Sequence, residues 1–148
     1  MTEQLPFLDE HRIVVPADAE TTWRAVNEVV ERLSGRLATG YAWAVGAADW
    51  KATGPRPLAE GSTVPGFRVV AAEPHELLAL AGRHRFSEYR LAFRLEAAAE
   101  GQTLVRAESR ARFPGIFGVG YRLLVIGSGG HAVGMRRLLG TIARLASN

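Results

Sequence analysis

No cysteine occurs in this chain of 148 residues, which removes thiol nucleophiles, thiolate metal sites and structural disulfides, and suits a reducing compartment. Lysine is nearly absent too: Lys51 stands alone, arginine supplies the rest of the positive charge, and the formal net charge is only +3. The basic residues are not gathered with aromatics on one groove-facing element, so no nucleic-acid partner is expected. His11, His75, His84 and His131 show no i,i+4 pair or other close ligand spacing, and no metal site is expected. Gly-Lys-Ser and Gly-Lys-Thr are missing, which excludes a phosphate loop, and nothing else marks a cofactor. Asp49, Glu60 and Glu73 fall near loops but are not paired for acid and base work. Long apolar runs are lacking as well. Ile116 to Ile126 is too short to span a bilayer and contains Arg122, so no stable membrane insertion is expected. Met1 to Glu10 has neither a basic leader nor an apolar core, so the expected location is the cytoplasm.

What is present reads as one domain, residues 1–148, long enough to bury a core without metal or disulfide staples. His11 to Val15 predicts a short strand stopped by Pro16, which cannot donate to a ladder. A helix follows, with Asp18 as its N-cap, Glu20 in its first turn, Trp23, Val26, Val30 and Leu33 on one face, and Gly35 at its end. Tyr41, Trp43 and Val45 alternate with small residues and predict a second strand. Asp49 to Pro65, rich in proline and glycine, predicts a long loop.

From Val64 the pattern turns strongly to strands. Phe67, Val69 and Ala71 alternate with Arg68 and Val70 up to a turn at Glu73-Pro74, and His75 to Arg83 forms the next strand. There, Leu77, Ala79 and Ala81 share one face and Leu78 and Leu80 the other, a pattern that suits cover on both sides. Glu88 to Ala97 places Tyr89, Leu91, Phe93 and Leu95 on a core face. After the Glu100-Gly101 turn, Thr103, Val105, Ala107, Ser109, Ala111 and Phe113 do the same. Arg90, Arg94, Arg106, Arg110 and Arg112, with Glu96 and Glu108, are left outside as a solvated exterior with cross-strand ion pairs or as a polyanion surface.

The last segment, Tyr121 to Ala146, predicts one long helix. Tyr121, Leu124, Val125, Ser128, His131, Ala132, Met135, Leu138, Leu139, Ile142, Leu145 and Ala146 recur at steps of three and four on one face. Gly127, Gly129 and Gly130 each cost about 1 kcal/mol relative to alanine in a helix, so they predict a bend or a break there. Gly127-Ser128-Gly129-Gly130 is no nucleophile elbow, because Ile126 stands where glycine is needed. Gly127, Gly129 and Ala132 match a dinucleotide fingerprint in letters only, with no βαβ unit around them. The fold class is therefore α+β: a curved antiparallel sheet closed over a long C-terminal helix, with a short helical segment after the first strand.

This layout resembles the helix-grip fold of the START-like superfamily, also called SRPBCC, and within it the bacterial polyketide cyclase or dehydrase-like branch. Ile13-Val14-Val15-Pro16-Ala17 followed by Trp23 is similar to that family's first strand, proline break and first helix. Gly66-Phe67-Arg68-Val69-Val70, leading through Glu73-Pro74 into Leu77 to Leu80, is a second match. The resemblance implies a cavity between sheet and helix that relatives use for sterols, lipids, aromatic polyketides or plant hormones. Ala107, Ser109, Ala111, Ala79 and Ala81 are small where a packed core wants bulk, which leaves space or lets the helix approach closely.

His131 is the ionisable residue to watch, since it lies on the apolar stripe and can act as acid, base or hydrogen-bond anchor near neutral pH. Tyr41, Trp43, Tyr89, Ser109 and Tyr121 are its expected company, with Ser128 and Met135 beside it on the helix, as ligand-binding residues. The expected partner is a small hydrophobic or aromatic molecule. An enzyme on the same scaffold, a cyclase, dehydratase or isomerase in which His131 moves protons, is the alternative. A protein-interaction module using the Ile116 to Ile126 run is a third reading, and a homodimer is compatible with the sequence.

Overall fold

The computed structural model describes residues 5–32 and 35–147. Its strands are β1 (Phe7–Val15), β2 (Thr63–Val64), β3 (Phe67–Glu73), β4 (Leu77–Arg83), β5 (Glu88–Ala97) and β6 (Thr103–Arg112). They form one antiparallel sheet in the order β1-β6-β5-β4-β3-β2. The strongest alternation in the sequence gives the most regular pairing. Tyr89, Leu91, Phe93 and Leu95 stand directly opposite Ala111, Ser109, Ala107 and Val105. Large therefore meets small across the inner face, and Phe93, Val105 and Ala107 are fully buried.

Leu78 pairs with Phe93 and Leu80 with Leu91, so these two leucines point inward and are fully buried. Ala79 and Ala81 pair with Ala92 and Arg90 and lie on the outer face instead. The expectation that they leave space inside is thus corrected: the strand's two faces are exchanged, because its leucines alternate in both registers. Outside, Arg106 donates to Glu10 at 2.7 Å and to Glu96 at 2.8 Å, and Arg110 to Glu108 at 2.6 Å. These are ion pairs of a solvated exterior, and the Arg106 hydrogen bonds hold the Glu10 carboxyl below its ordinary range.

Helix α1 (Ala19–Glu31) begins where the sequence indicates, the Asp18 carboxylate accepting the Thr21 N–H at 2.8 Å. Val26 and Val30 are buried on its inner face and Trp23 is half-buried, while Leu33 lies outside the described residues. Buried Thr103 and Thr22 both donate to the Ala17 carbonyl, joining the β1–α1 corner to β6. Gly35 is not the end of α1 but the N-cap of a further helix, α2 (Arg36–Ala44).

The predicted strand at Tyr41, Trp43 and Val45 is therefore wrong. Ala38, Ala42 and Val45 recur at four and three and give a narrow helical face, on which Ala42 and Val45 are buried. A period of two and one of 3.6 are hard to separate over five residues, and alanine has the best helix propensity. The long loop that follows is organised by Arg56, which pairs with Glu31 at 2.6 Å and donates to the Thr53 and Thr63 carbonyls.

Tyr121 to Ala146 is not one helix either. Helix α3 (Gly115–Arg122) passes into a π-helical turn, Leu123–Gly127, and α4 (Gly130–Ser147) leaves at 51°. Gly129 makes the break: its φ of +78° is left-handed, and its N–H closes on the Ile126 carbonyl at 3.0 Å. Leu124 is consequently exposed rather than on the buried stripe. Beyond the break the stripe holds, and Met135, Leu139, Ile142 and Ala146 pack into the core formed by α1 and the inner sheet. Each fully buried leucine, isoleucine or phenylalanine there contributes roughly 1.5–3 kcal/mol.

Candidate functional site

Between the inner sheet and the helices, toward the open end left by the break, lies a cleft of about 490 Å³. Phe67, Tyr89, Leu91, Ser109 and Ala111 form its floor. Ala38, Tyr41, Ala42 and Val45 of α2 line one side, and Tyr121, Val125 and Ile126 of the arm that precedes α4 line another. His131, Gly134, Met135 and Leu138 of α4 complete it. Small residues at Ala38, Ala42, Ser109, Ala111 and Gly134 leave the space unfilled, whereas Phe93, two residues along β5 from Leu91, meets a packed core.

One wall is aromatic. Tyr121 stacks on Phe86 with ring centroids 5.7 Å apart, and the His84 ring lies edge-on to Tyr121 at 4.9 Å. Gly118 lets the arm approach, since a Cβ there would come within 2.7 Å of the Phe113 carbonyl carbon and 3.1 Å of the Phe86 oxygen. The Tyr121 and Tyr41 hydroxyls are 2.5 Å apart, tying the arm to α2. Burial, helped by that hydrogen bond, raises the Tyr121 pKa above its ordinary value. Tyr89 donates to the Gly66 carbonyl at 2.5 Å, and burial pushes its pKa up to about 12.

His84 is held as a neutral ring. Its Nδ1 accepts the Phe86 N–H at 3.1 Å, so the proton sits on Nε2, which faces Ser87 Oγ at 3.1 Å. Burial lowers its pKa from 6.5. The unfolded chain therefore takes up this proton first; the associated stability is complete above about pH 6.5 and is lost as the pH falls through the lower folded value. Thermal melting of wild type should accordingly drop more steeply between about pH 7 and pH 5 than that of His84→Asn. Parallel profiles for the two proteins would contradict this tautomer and its role.

At the other end, His131 Nε2 lies 3.2 Å from Ser109 Oγ and 3.3 Å from Asp9 Oδ1. The second Asp9 oxygen faces His11 Nε2 at 3.2 Å. A carboxylate only accepts, so Nε2 of His131 carries the proton toward Asp9 and Ser109 shares it as a second acceptor. This is no serine triad, because the same nitrogen faces both partners and has no lone pair left to take the Ser109 proton. It is a histidine held in one tautomer beside an acid, which suits hydrogen bonding or proton transfer to a bound molecule. Among the described residues no group of three or more histidines and carboxylates is placed to hold a metal ion.

Six of the eight residues singled out from the sequence line the cleft: Tyr41, Tyr89, Ser109, Tyr121, His131 and Met135. Trp43 does not. It follows buried Ala42 on the opposite side of α2 and is 68% exposed. Ser128 does not either, its hydroxyl being spent on the Leu124 carbonyl and the Gly130 N–H. Asp9, His84 and Ser87 were not anticipated. Asp9 had a signal, for Asp9, His11, Ile13 and Val15 alternate along β1 and Asp9 pairs with Ser109. His84 and Ser87 sit in and beside a turn and leave no periodic trace.

No protein-family model and no curated protein matches this sequence. Solved structures do match it. DynU16, a protein of the dynemicin biosynthetic locus, is 17% identical with a TM-score of 0.57, and the match covers 94% of this chain and 46% of that one. CalU16 from Micromonospora echinospora is 15% identical with a TM-score of 0.54, covering 93% of this chain and 80% of that one. Truncated norcoclaurine synthase from Thalictrum flavum is 12% identical with a TM-score of 0.54, covering 97% of each. The chain thus spans less than half of DynU16 and nearly all of the truncated synthase. At these identities the likeness is one of fold, the α+β helix-grip fold.

Proposed function

We propose that this helix-grip chain binds a small hydrophobic or aromatic molecule in the cleft between its inner sheet and its C-terminal helices. The observation that carries the reading is the cleft of about 490 Å³, with largely apolar walls and polar groups at the Tyr41–Tyr121 pair, at His84, Ser87 and Tyr89, and at Ser109 and His131, the last backed by Asp9. Apolar area supplies affinity at about 25 cal/mol per Å², and the polar groups fix orientation. Titration with anilinonaphthalene sulfonate is expected to give saturable uptake by the folded protein. Native mass spectrometry of protein purified from its own host should find a co-purifying small molecule. A cleft that takes up neither would sink the proposal.

A second reading is supported by the Asp9–His131 contact: an enzyme on the same scaffold that moves a proton on the bound molecule, as a cyclase, dehydratase or isomerase does. Norcoclaurine synthase bears an enzyme's name on this fold. His131→Ala should then abolish turnover of an identified substrate while leaving its binding largely intact. Equal loss of both would argue for binding alone.

A further inference from the structure

The mouth of the cleft is edged by apolar side chains that the fold leaves uncovered. Leu37 is 92% exposed and sits one turn before Tyr41 on α2. Across the mouth, Phe117 is 79% exposed one turn before Tyr121, flanked by Ile116, Leu123 and Leu124. The hydrogen bond between Tyr41 and Tyr121 makes these two edges neighbours. The exposed apolar side chains thus stand on two adjoining edges of the mouth rather than singly over the surface.

The charge on the helices that carry this surface has a single sign. Arg36 is the only charged residue of α2 and Arg122 the only one of the arm from Gly115 to Gly127. Exposed Arg85 approaches the end of α2 at Gly46. No aspartate or glutamate occurs in residues 33–48 or 109–148. A second copy docking through the same face would bring arginines of α2 and the arm against arginines, with no acid in those helices to neutralise them. An anionic lipid surface supplies both things the face asks for: negative headgroups for the arginines and hydrocarbon for the leucines and Phe117. Among the described residues no single helix is long and apolar enough to cross a membrane, and only the arm and α4 taken together, bent by 51°, have the length and composition to do so; exposed apolar and basic residues side by side on the arm and α2 suit contact with the bilayer surface.

We propose that the surface formed by α2 and the arm docks on anionic phospholipid membranes, placing the mouth of the cleft at the headgroup level. A molecule partitioned in the lipid would then reach the cleft without crossing water. Docking does not depend on what the cleft holds, so its failure and that of the ligand-binding reading are separately visible.

The test is sedimentation of the full chain with vesicles of phosphatidylcholine alone and of phosphatidylcholine containing phosphatidylglycerol. Wild type should bind the anionic vesicles and lose binding in high salt. Phe117→Ser/Leu124→Ser, changes at exposed positions that leave the melting temperature in place, should remain in the supernatant. Arg122→Ala should weaken binding by about fivefold. Absence of wild-type binding to anionic vesicles overturns the proposal, as does unchanged binding by the double variant. So does a wild-type dimer in analytical ultracentrifugation that the double variant turns into monomer, since the face would then belong to a second copy.

Discussion

Gly82→Ala is expected to destabilise the protein by about 3 kcal/mol, the upper end of what overpacking usually costs. An added Cβ would lie 2.1 Å from the Gly66 oxygen and 2.6 Å from Cε2 of Tyr89. Neither neighbour is free to retreat. The Gly66 oxygen accepts the Tyr89 hydroxyl at 2.5 Å, and the Gly66 N–H donates to the Asp49 carbonyl at 2.6 Å, in a turn whose φ of +89° only glycine adopts easily. The clash therefore falls on the floor of the cleft as well as on the β4–β5 pairing. For a chain of this length the melting temperature should fall by roughly 6–12 °C. Gly140→Ala is the matched control: nothing lies within 4 Å of its added Cβ, and in the interior of α4 it should raise stability by up to about 1 kcal/mol. Thermal unfolding followed by circular dichroism separates the two. A Gly82→Ala protein melting within about a degree of wild type would mean that Tyr89 and the Gly66 turn are not fixed as described.

Gly134→Phe is expected to remove ligand uptake without removing the fold. Gly134 lines the cleft from α4, and a Cβ placed there meets nothing within 4 Å, so the new ring enters open space. Exchanging glycine for phenylalanine inside a helix also costs nothing in propensity. Saturable uptake of anilinonaphthalene sulfonate should weaken by at least about tenfold, corresponding to some 1.4 kcal/mol of lost binding, while the melting temperature holds or rises. Undiminished uptake at full stability would show that the probe sits elsewhere, and the exposed apolar mouth would be the first place to look.

The parts of the fold legible in the sequence are those in which one residue's neighbours in space repeat at a fixed interval along the chain. Glu88 to Ala97 and Thr103 to Arg112 alternate cleanly because one face meets the core and the other meets water, and both strands form with the expected faces. Leu77 to Arg83 was harder: alanines and leucines alternate in either register, and only pairing with β5 decides that Leu78 and Leu80 point inward. Tyr41 and Trp43 suffered from brevity. Over so short a segment a helix with an alanine face imitates a strand, and the error carried Trp43 into the expected site along with Tyr41.

By itself, then, the sequence determined the α+β class, the inner faces of the two long strands, the start of α1 at Asp18, and the apolar stripe of the last helix from His131 onward. Each follows from periodicity or a local cap, which are properties of neighbouring residues. Only the tertiary structure decided that the last helix breaks at Gly129, that α2 faces the arm, and that His131 meets Asp9. His131 and Asp9 are 122 residues apart, and Tyr41 and Tyr121 are 80 apart. No local pattern specifies contacts at such separation; they exist because the sheet brings β1 beside β6 and because the break turns the arm away from α4, leaving the cleft between them.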